Sequence, residues 1–172
     1  MTSGDLLAAT EGALAERFCV ALVEQPYRVA GRRAPAPAHQ LDAAWTTVVA
    51  HLSAGSLAGL PLIVGGRSLG ARVACRTAQA SGAVGVLCLA FPLQPRRRAG
   101  TAPSRLSELE DVHVPTLVVQ GERDPFGIPP ASTSRTVVRV AGDHSLRSDL
   151  PAVAAAVRAW LAGLTKEQAR PG

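Results

Sequence analysis

Three short apolar runs, separated by stretches of helical periodicity, constrain the fold of this chain most strongly. They cover residues 60–64, 84–89 and 116–120, and they are almost continuously apolar rather than alternating. Such runs are typical of strands in a parallel sheet that helices cover on both faces. A strand–helix–strand order in a chain of 172 residues therefore predicts a doubly wound α/β fold with a mostly parallel sheet of about five strands.

Two further strands and several helices complete this predicted pattern. The strands are residues 18–24 and 136–140. Apolar side chains with a period of 3.6 predict helices around residues 41–52 and 153–164, with further candidates around residues 6–14 and 69–79. The stripes of the first two helices consist of Leu41, Trp45, Val48, Val49 and Leu52, and of Val153, Val157, Trp160, Leu161 and Leu164. The third candidate contains Leu6, Leu7 and Leu14. We expect a single domain over residues 1–172 without a cap domain.

Composition excludes several classes of protein. A chain that is 47% hydrophobic and 18% charged is not a disordered one. Its apolar runs are shorter than the about 20 residues that cross a bilayer, and no leader pattern is present, so we expect no membrane partner and no signal peptide. The cysteines Cys19, Cys75 and Cys88 form no Cys-x-x-Cys pair, which argues against a disulfide scaffold and against a metal site. We therefore expect a reducing, cytoplasmic location.

The net charge of +5 raises the alternative of a nucleic-acid-binding protein. The arginines are scattered, however, and their one cluster, residues 96–98, lies in a Pro/Gly-rich stretch that we interpret as a solvated loop. Aromatic residues make up only 3% of the chain, too few for platforms that stack single-stranded bases. We therefore expect no nucleic-acid partner.

A G-x-S-x-G motif follows the predicted strand 60–64, with Gly66 and Gly70 on either side of Ser68. A sharp strand-to-helix turn exposes the central hydroxyl, and small residues two positions away on either side avoid a backbone clash. At the start of the following helix, the N–H of Leu69 can stabilise an oxyanion. The alternative is a glycine-rich turn in which Ser68 only caps the helix.

An acid and a histidine follow later strands. Asp124 comes after strand 116–120, and His144 comes after strand 136–140. Serine, aspartate and histidine in this order match the α/β-hydrolase triad, in which the histidine accepts the serine proton and the aspartate orients the imidazole. Taken singly, Asp124 could be a turn residue before proline and His144 a surface histidine.

Three segments carry a resemblance to a known family. PLIVGGRSLGARVA, VGVLCLAFPLQP and VPTLVVQGERDPFG resemble the α/β-hydrolase superfamily, and most closely its small dienelactone-hydrolase-like branch. The resemblance implies that Ser68 is the nucleophile, Asp124 the acid and His144 the base. It implies hydrolysis of an ester, thioester or lactone without a cofactor, and a small-molecule acyl substrate as the partner.

Three further residues are candidates for substrate binding: Arg67, Tyr27 and Phe126. Arg67 could attract an anionic acyl substrate, although arginines in such positions are often structural or solvated. Residues 92–103, where larger relatives insert a lid, form a short basic stretch. We therefore expect an open, shallow site.

The chain departs from the superfamily at its beginning. The loop that reads like His-Gly-x-Gly, and that donates the second oxyanion N–H, has no counterpart here, nor has the strand before it. In the superfamily this strand lies between those matching residues 18–24 and 60–64. We expect Met1 to be an internal methionine of a longer protein; the alternative is a true truncation in which these two strands pair directly. A non-catalytic binding or scaffold protein is the rival function, and the oligomeric state is left open.

Overall fold

The computed structural model describes residues 3–95 and 103–168, and its centre is a parallel sheet of four strands. The strands, in chain order, are β1 (Ile63–Arg67), β2 (Gly85–Leu89), β3 (Thr116–Gly121) and β4 (Arg135–Val140). They lie in the order β1-β2-β3-β4 and every neighbouring pair is parallel. The predicted α/β class and the parallel sheet are confirmed.

Helices cover both faces of this sheet. They are α1 (Gly4–Ala15), α2 (Pro26–Val29), α3 (Ala38–Ala54), α4 (Leu69–Thr77), α5 (Leu106–Glu110) and α6 (Leu150–Gln168). One cluster of buried side chains joins the sheet to α4 and α5 and also contacts α3, whereas a second cluster joins it to α1 and α6. The described residues contain no cap domain and no helix long and apolar enough to cross a membrane.

The central strands are buried on both faces, as their uninterrupted apolar sequence predicts. Val86 and Cys88 of β2 pack into the cluster with α4, while Leu89 of the same strand packs into the cluster with α6. Val118 and Val119 of β3 divide between the two clusters in the same way. Every second side chain thus enters each layer, which is the alternation that a pleated strand imposes.

The predicted strand at residues 18–24 is wrong. This segment forms no strand, so the described sheet has four strands rather than about five. It also does not pair with β1, which rules out direct pairing of these two segments in the described structure. A groove of about 500 Å³ is lined by residues 18–23 on one side and by Ile63 and Val64 on another. This segment therefore lines the same groove as β1 without a main-chain hydrogen bond to its edge.

Helix α1 is present as predicted, but of its three leucines only Leu6 packs against the core, and it does so partly buried. Leu7 and Leu14 are exposed, whereas Ala8, Ala9 and Gly12 are buried. A Cβ atom on Gly12 would lie 2.6 Å from the carbonyl oxygen of Ala154 in α6. Small side chains let the two helices approach closely, and this close packing decides which face of α1 is covered.

The arginines on α4 are engaged in ion pairs. Arg72 binds both carboxylate oxygens of Glu108 at 2.8 and 2.5 Å, and Arg76 binds those of Asp42 at 2.8 and 2.6 Å. The hydrogen bond that Arg76 donates to Asp42 is the main cause that raises the pKa of Arg76. These pairs tie α4 to α3 and α5. The basic cluster at residues 96–98 lies outside the described residues.

Candidate active site

Ser68 occupies a sharp turn between β1 and α4. Its φ of +52° and ψ of −109° are rare for a residue with a side chain, and its N–H donates to the carbonyl of Leu89 at 2.8 Å. A strained backbone of this kind persists only where the surrounding structure holds it in place, and it is concentrated at functional sites. Ser68 occupies the N-cap position of α4, but its side chain makes no capping hydrogen bond to the helix and contacts His144 instead. The interpretation in which the Ser68 hydroxyl only caps the helix is therefore wrong.

The two glycines of the motif differ in their steric roles. A Cβ atom on Gly66 would lie 2.5 Å from the carbonyl carbon of Gly70, a distance that no real contact tolerates. A Cβ atom on Gly70 would meet nothing within 4 Å. The prediction that both positions must be small is thus confirmed for Gly66 and wrong for Gly70.

Ser68, His144 and Asp124 form one chain of hydrogen bonds at the carboxyl ends of β1, β4 and β3. The Nε2 atom of His144 lies 2.9 Å from Oγ of Ser68, and Nδ1 lies 2.8 Å from Oδ2 of Asp124. A carboxylate only accepts, so Nδ1 carries the proton and Nε2 is free to accept the serine proton. This arrangement can perform general-base activation of a serine hydroxyl.

The carboxylate of Asp124 is buried and satisfied by several donors. Its Oδ1 accepts the N–H of Phe126 at 2.8 Å, and its Oδ2 accepts Nε2–H of Gln120 at 2.7 Å in addition to His144. A buried carboxylate needs such partners because it has lost its hydration. They also fix its orientation toward the imidazole.

Gln120 is a residue of this site that sequence reasoning missed. It is fully buried at the end of β3, and the same Nε2 lies 3.0 Å from the carbonyl oxygen of Phe91 and 2.9 Å from that of Gly127. Its amide thus joins the ends of β2 and β3 to the turn that carries Asp124. The sequence feature that could have indicated Gln120 is a large polar residue at the end of an otherwise apolar strand, four positions before Asp124.

The loop that carries His144 packs closely on β3. A Cβ atom on Gly121 would collide with the backbone oxygen of Asp143. Asp143 itself is exposed, and its Oδ1 accepts the N–H and the hydroxyl of Ser145 at 2.8 and 2.7 Å. Those hydrogen bonds lower the pKa of Asp143. The interpretation of Asp143 as a turn residue rather than the triad acid is confirmed.

The three substrate-binding candidates have different surroundings. The Phe126 ring lies 4.5 Å from the His144 ring, centroid to centroid. Arg67 contacts Asp5 and donates to the carbonyl of His144 at 3.0 Å. Tyr27 lies in α2, where the Arg28 guanidinium is 5.7 Å from the centre of its ring. The structure therefore brings Phe126 and Arg67 into contact with His144, and a substrate role for all three residues stays a prediction.

Two of the three cysteines are buried against each other. The Sγ atoms of Cys75 in α4 and Cys88 in β2 are 3.5 Å apart. The hydrogen bond to Cys75, together with burial, raises the pKa of Cys88 well above its usual value. A buried thiol of raised pKa is a poor nucleophile, so these residues pack the core beneath the turn at Ser68.

A parallel sheet that carries serine, aspartate and histidine in this chain order at its carboxyl edge defines the α/β-hydrolase class. The chain belongs to the alpha/beta hydrolase domain family, whose sequence model matches residues 4–150. No curated protein matches the sequence.

Solved structures share the fold at low sequence identity. A protein assigned to the alpha/beta hydrolase superfamily from Xanthomonas campestris pv. campestris has a TM-score of 0.66 at 15% identity, over 93% of this chain and 90% of its own. A serine hydrolase without a lid from Xanthomonas campestris has a TM-score of 0.62 at 18% identity, over 92% and 73%. An alpha-beta serine hydrolase homologue from Coxiella burnetii has a TM-score of 0.64 at 14% identity, over 91% and 76%. At these identities the similarity concerns the fold alone.

Proposed function

We propose that this α/β hydrolase is a serine hydrolase that cleaves a small ester, thioester or lactone through an acyl-enzyme, without a cofactor. The observation that carries the proposal is the unbroken chain from Oγ of Ser68 through the His144 imidazole to the buried carboxylate of Asp124. The dienelactone-hydrolase-like resemblance supports the same reaction class.

The proposed reaction has two halves. Oγ of Ser68 attacks the acyl carbonyl while Nε2 of His144 accepts its proton, and the charged imidazole is stabilised by Asp124. The tetrahedral intermediate then collapses, and His144 donates that proton to the departing alkoxide or thiolate. Water attacks the acyl-enzyme with His144 again as the base, which releases the carboxylic acid and restores Ser68.

The oxyanion hole requires two donors, and Leu69 is the proposed source of one of them. Its N–H follows Ser68 at the start of α4, where backbone donors are free of helical partners. The loss of one donor costs about 3 kcal/mol, or 10²–10³ in rate.

We propose that the second oxyanion donor lies in a loop after a further strand. This strand would precede Met1 in the native protein and would fill the groove beside β1. Among the described residues β1 pairs only with β2, so its other edge presents unpaired backbone groups to the groove. The groove is lined mainly by apolar side chains, which suits a strand that is buried on both faces. The first turn of α1 contacts the end of β1 through Asp5 and Arg67. A strand that fills the groove parallel to β1 would end near this contact, and its loop would then lead into α1. An N-terminal peptide from native cells that begins at Met1 or Thr2 would contradict this proposal.

Active-site labelling tests the main proposal. The purified protein is treated with a fluorophosphonate and its intact mass is measured, beside Ser68→Ala and the control Ser107→Ala, an exposed serine of α5. Circular dichroism verifies that each variant folds. We expect a single adduct on the wild type and on Ser107→Ala and none on Ser68→Ala. Hydrolysis of ester, thioester and lactone panels then separates the substrate classes.

A non-catalytic binding or scaffold protein is the second candidate. The observation in its favour is that the 500 Å³ groove lies beside β1 and is not lined by Ser68, Asp124 or His144. If the folded protein takes up no label, and a form extended upstream of Met1 also takes up none, the scaffold function replaces the hydrolase.

A further inference from the structure

Arg67 joins two parts of the molecule that are distant in sequence. It is the last residue of β1, directly before Ser68, and its Nε lies 2.6 Å from Oδ2 of Asp5 at the start of α1. Its Nη2 donates to the main-chain carbonyl of His144 at 3.0 Å. One guanidinium thus contacts the first turn of α1 and the loop that holds the proposed base.

The anchor of this guanidinium is a carboxylate with no access to solvent. Asp5 is 0% exposed, and its Oδ1 accepts the N–H of Leu6 at 3.1 Å. The Nε–Oδ2 contact with Arg67 is a close ion pair without the alignment of a hydrogen bond. A buried carboxylate is costly unless a cation neutralises it, so Asp5 holds the arginine in one place.

The His144 loop otherwise has few hydrogen bonds to the elements that carry Ser68. Within the described ranges, its main-chain bonds run from Leu146 to Asp143 and from Arg123 to Gly142, inside the loop or to the turn that carries Asp124. The Arg67 bond to the carbonyl of His144 therefore fixes the base relative to β1 independently of the Ser68–His144 bond.

We propose that Arg67 is a positioning residue for His144, with Asp5 as its anchor; the proposal rests on the proposed hydrolase function. Proton transfer from Ser68 tolerates little displacement of Nε2, and an error of about 1 Å can cost about 10² in rate. The planar guanidinium contacts Asp5 through Nε and the carbonyl of His144 through Nη2, in two different directions. The single ammonium group of a lysine cannot make both contacts in this geometry. This role differs from attraction of an anionic substrate, because both contacts of the guanidinium are to the protein.

A set of variants separates positioning from mere neutralisation of Asp5. Arg67→Met leaves Asp5 without its cation, whereas Asp5→Asn/Arg67→Met removes both charges. We expect the single variant to lose both thermal stability and labelling rate. The double variant should regain stability but label about tenfold to a hundredfold more slowly than wild type, and Arg67→Lys should stay well below the wild-type rate. Arg72→Met is the matched control, since it breaks an ion pair on the adjacent helix that does not touch the triad.

Two outcomes of the labelling experiment overturn the proposal: a double variant that labels at the wild-type rate, or a control Arg72→Met that slows as much as the double variant.

The proposed hydrolase function fails separately, when the wild type itself takes up no label. The positioning role of Arg67 is then tested by NMR, through the downfield signal of the proton on Nδ1 of His144. Loss of this signal in Asp124→Asn assigns it to that proton. We expect this signal in the wild type and Arg72→Met and its weakening in the double variant. An unchanged signal in all three proteins would also overturn the proposal.

Discussion

The Nε2 atom of His144 lies 2.9 Å from Oγ of Ser68, although 76 positions separate the two residues in the chain. The distance is short because parallel strands end at a common edge of the sheet. Ser68 follows β1 at one side of this edge and His144 follows β4 at the other, so the contact between them bridges the ends of β2 and β3. The topology therefore places the hydroxyl and the imidazole together before any substrate is present.

Replacement of Asp124 should change the tautomer of the His144 imidazole. In Asp124→Asn the amide can donate to Nδ1, which favours the tautomer with its proton on Nε2 and leaves no base for Ser68. We expect the fluorophosphonate labelling rate to fall by about 10³–10⁴. The matched control is Asp143→Asn, next to His144 in sequence but exposed and bonded to Ser145, which should label within about twofold of the wild type. Equal losses in the two variants would refute the assignment of the acid.

Gln120→Leu should lower both stability and labelling rate. The change removes the amide that donates to Asp124, and leaves the carbonyl oxygens of Phe91 and Gly127 without this donor. A buried group without its partner costs about 1–3 kcal/mol, which urea unfolding can measure.

The variant Gln120→Glu gives the more specific result. Two buried carboxylic acids 2.7 Å apart resist a second ionisation, so one of them keeps its proton to a higher pH than an isolated carboxylic acid does. We expect the labelling rate to fall when the pH is high enough to remove that shared proton, a dependence that the wild type lacks. A profile that matches the wild type would show that Gln120 does not act on the acid.

The two glycines around Ser68 should respond differently to alanine. Gly66→Ala forces a methyl group against the backbone of Gly70, so we expect a loss of about 1–3 kcal/mol in stability and a displaced nucleophile. Gly70→Ala meets open space in the first turn of α4, and alanine is the better helix former by about 1 kcal/mol. Thermal unfolding and labelling of both variants test this contrast, and equal destabilisation would contradict it.

Thiol accessibility should report the packing beneath the turn at Ser68. The native protein should react quickly with a disulfide reagent at Cys19 alone, since Cys19 is exposed and Cys75 and Cys88 are buried. The raised pKa keeps Cys88 protonated as the pH passes its usual value of 9.0. An unfolded chain would ionise there, so this thiol contributes stability that is lost toward alkaline pH. Fast reaction of all three thiols at neutral pH would exclude the described packing.

The four strands of the sheet and the three residues of the Ser68–His144–Asp124 hydrogen-bonded chain could be predicted from the sequence because their signals are local. An uninterrupted apolar run marks each central strand, and Ser68, Asp124 and His144 each follow one of the strands. The turn at Ser68 is fixed by a contact between residues only four apart, Gly66 and Gly70. Such information is contained in a short window of sequence.

What could not be predicted depends on partners that are remote in the chain. Residues 18–24 have the composition of a strand, but a strand forms only where its main chain pairs with an edge. The buried face of α1 is decided by its close approach to α6, which favours Gly12 over the leucines. The contacts of Arg67 and Gln120 become visible only when loops after different strands are brought together.

The consecutive order of the four strands also has a consequence for synthesis on the ribosome. Each strand pairs with the one made just before it, so the sheet can grow from β1 as the chain emerges. The proposed base comes last, after β4, and the helix that covers α1 is made later still. A nascent chain therefore carries the serine turn for the 76 positions between Ser68 and His144 without the proposed base that would activate it. Hydrolytic activity would thus mark the moment at which the last strand has joined the sheet.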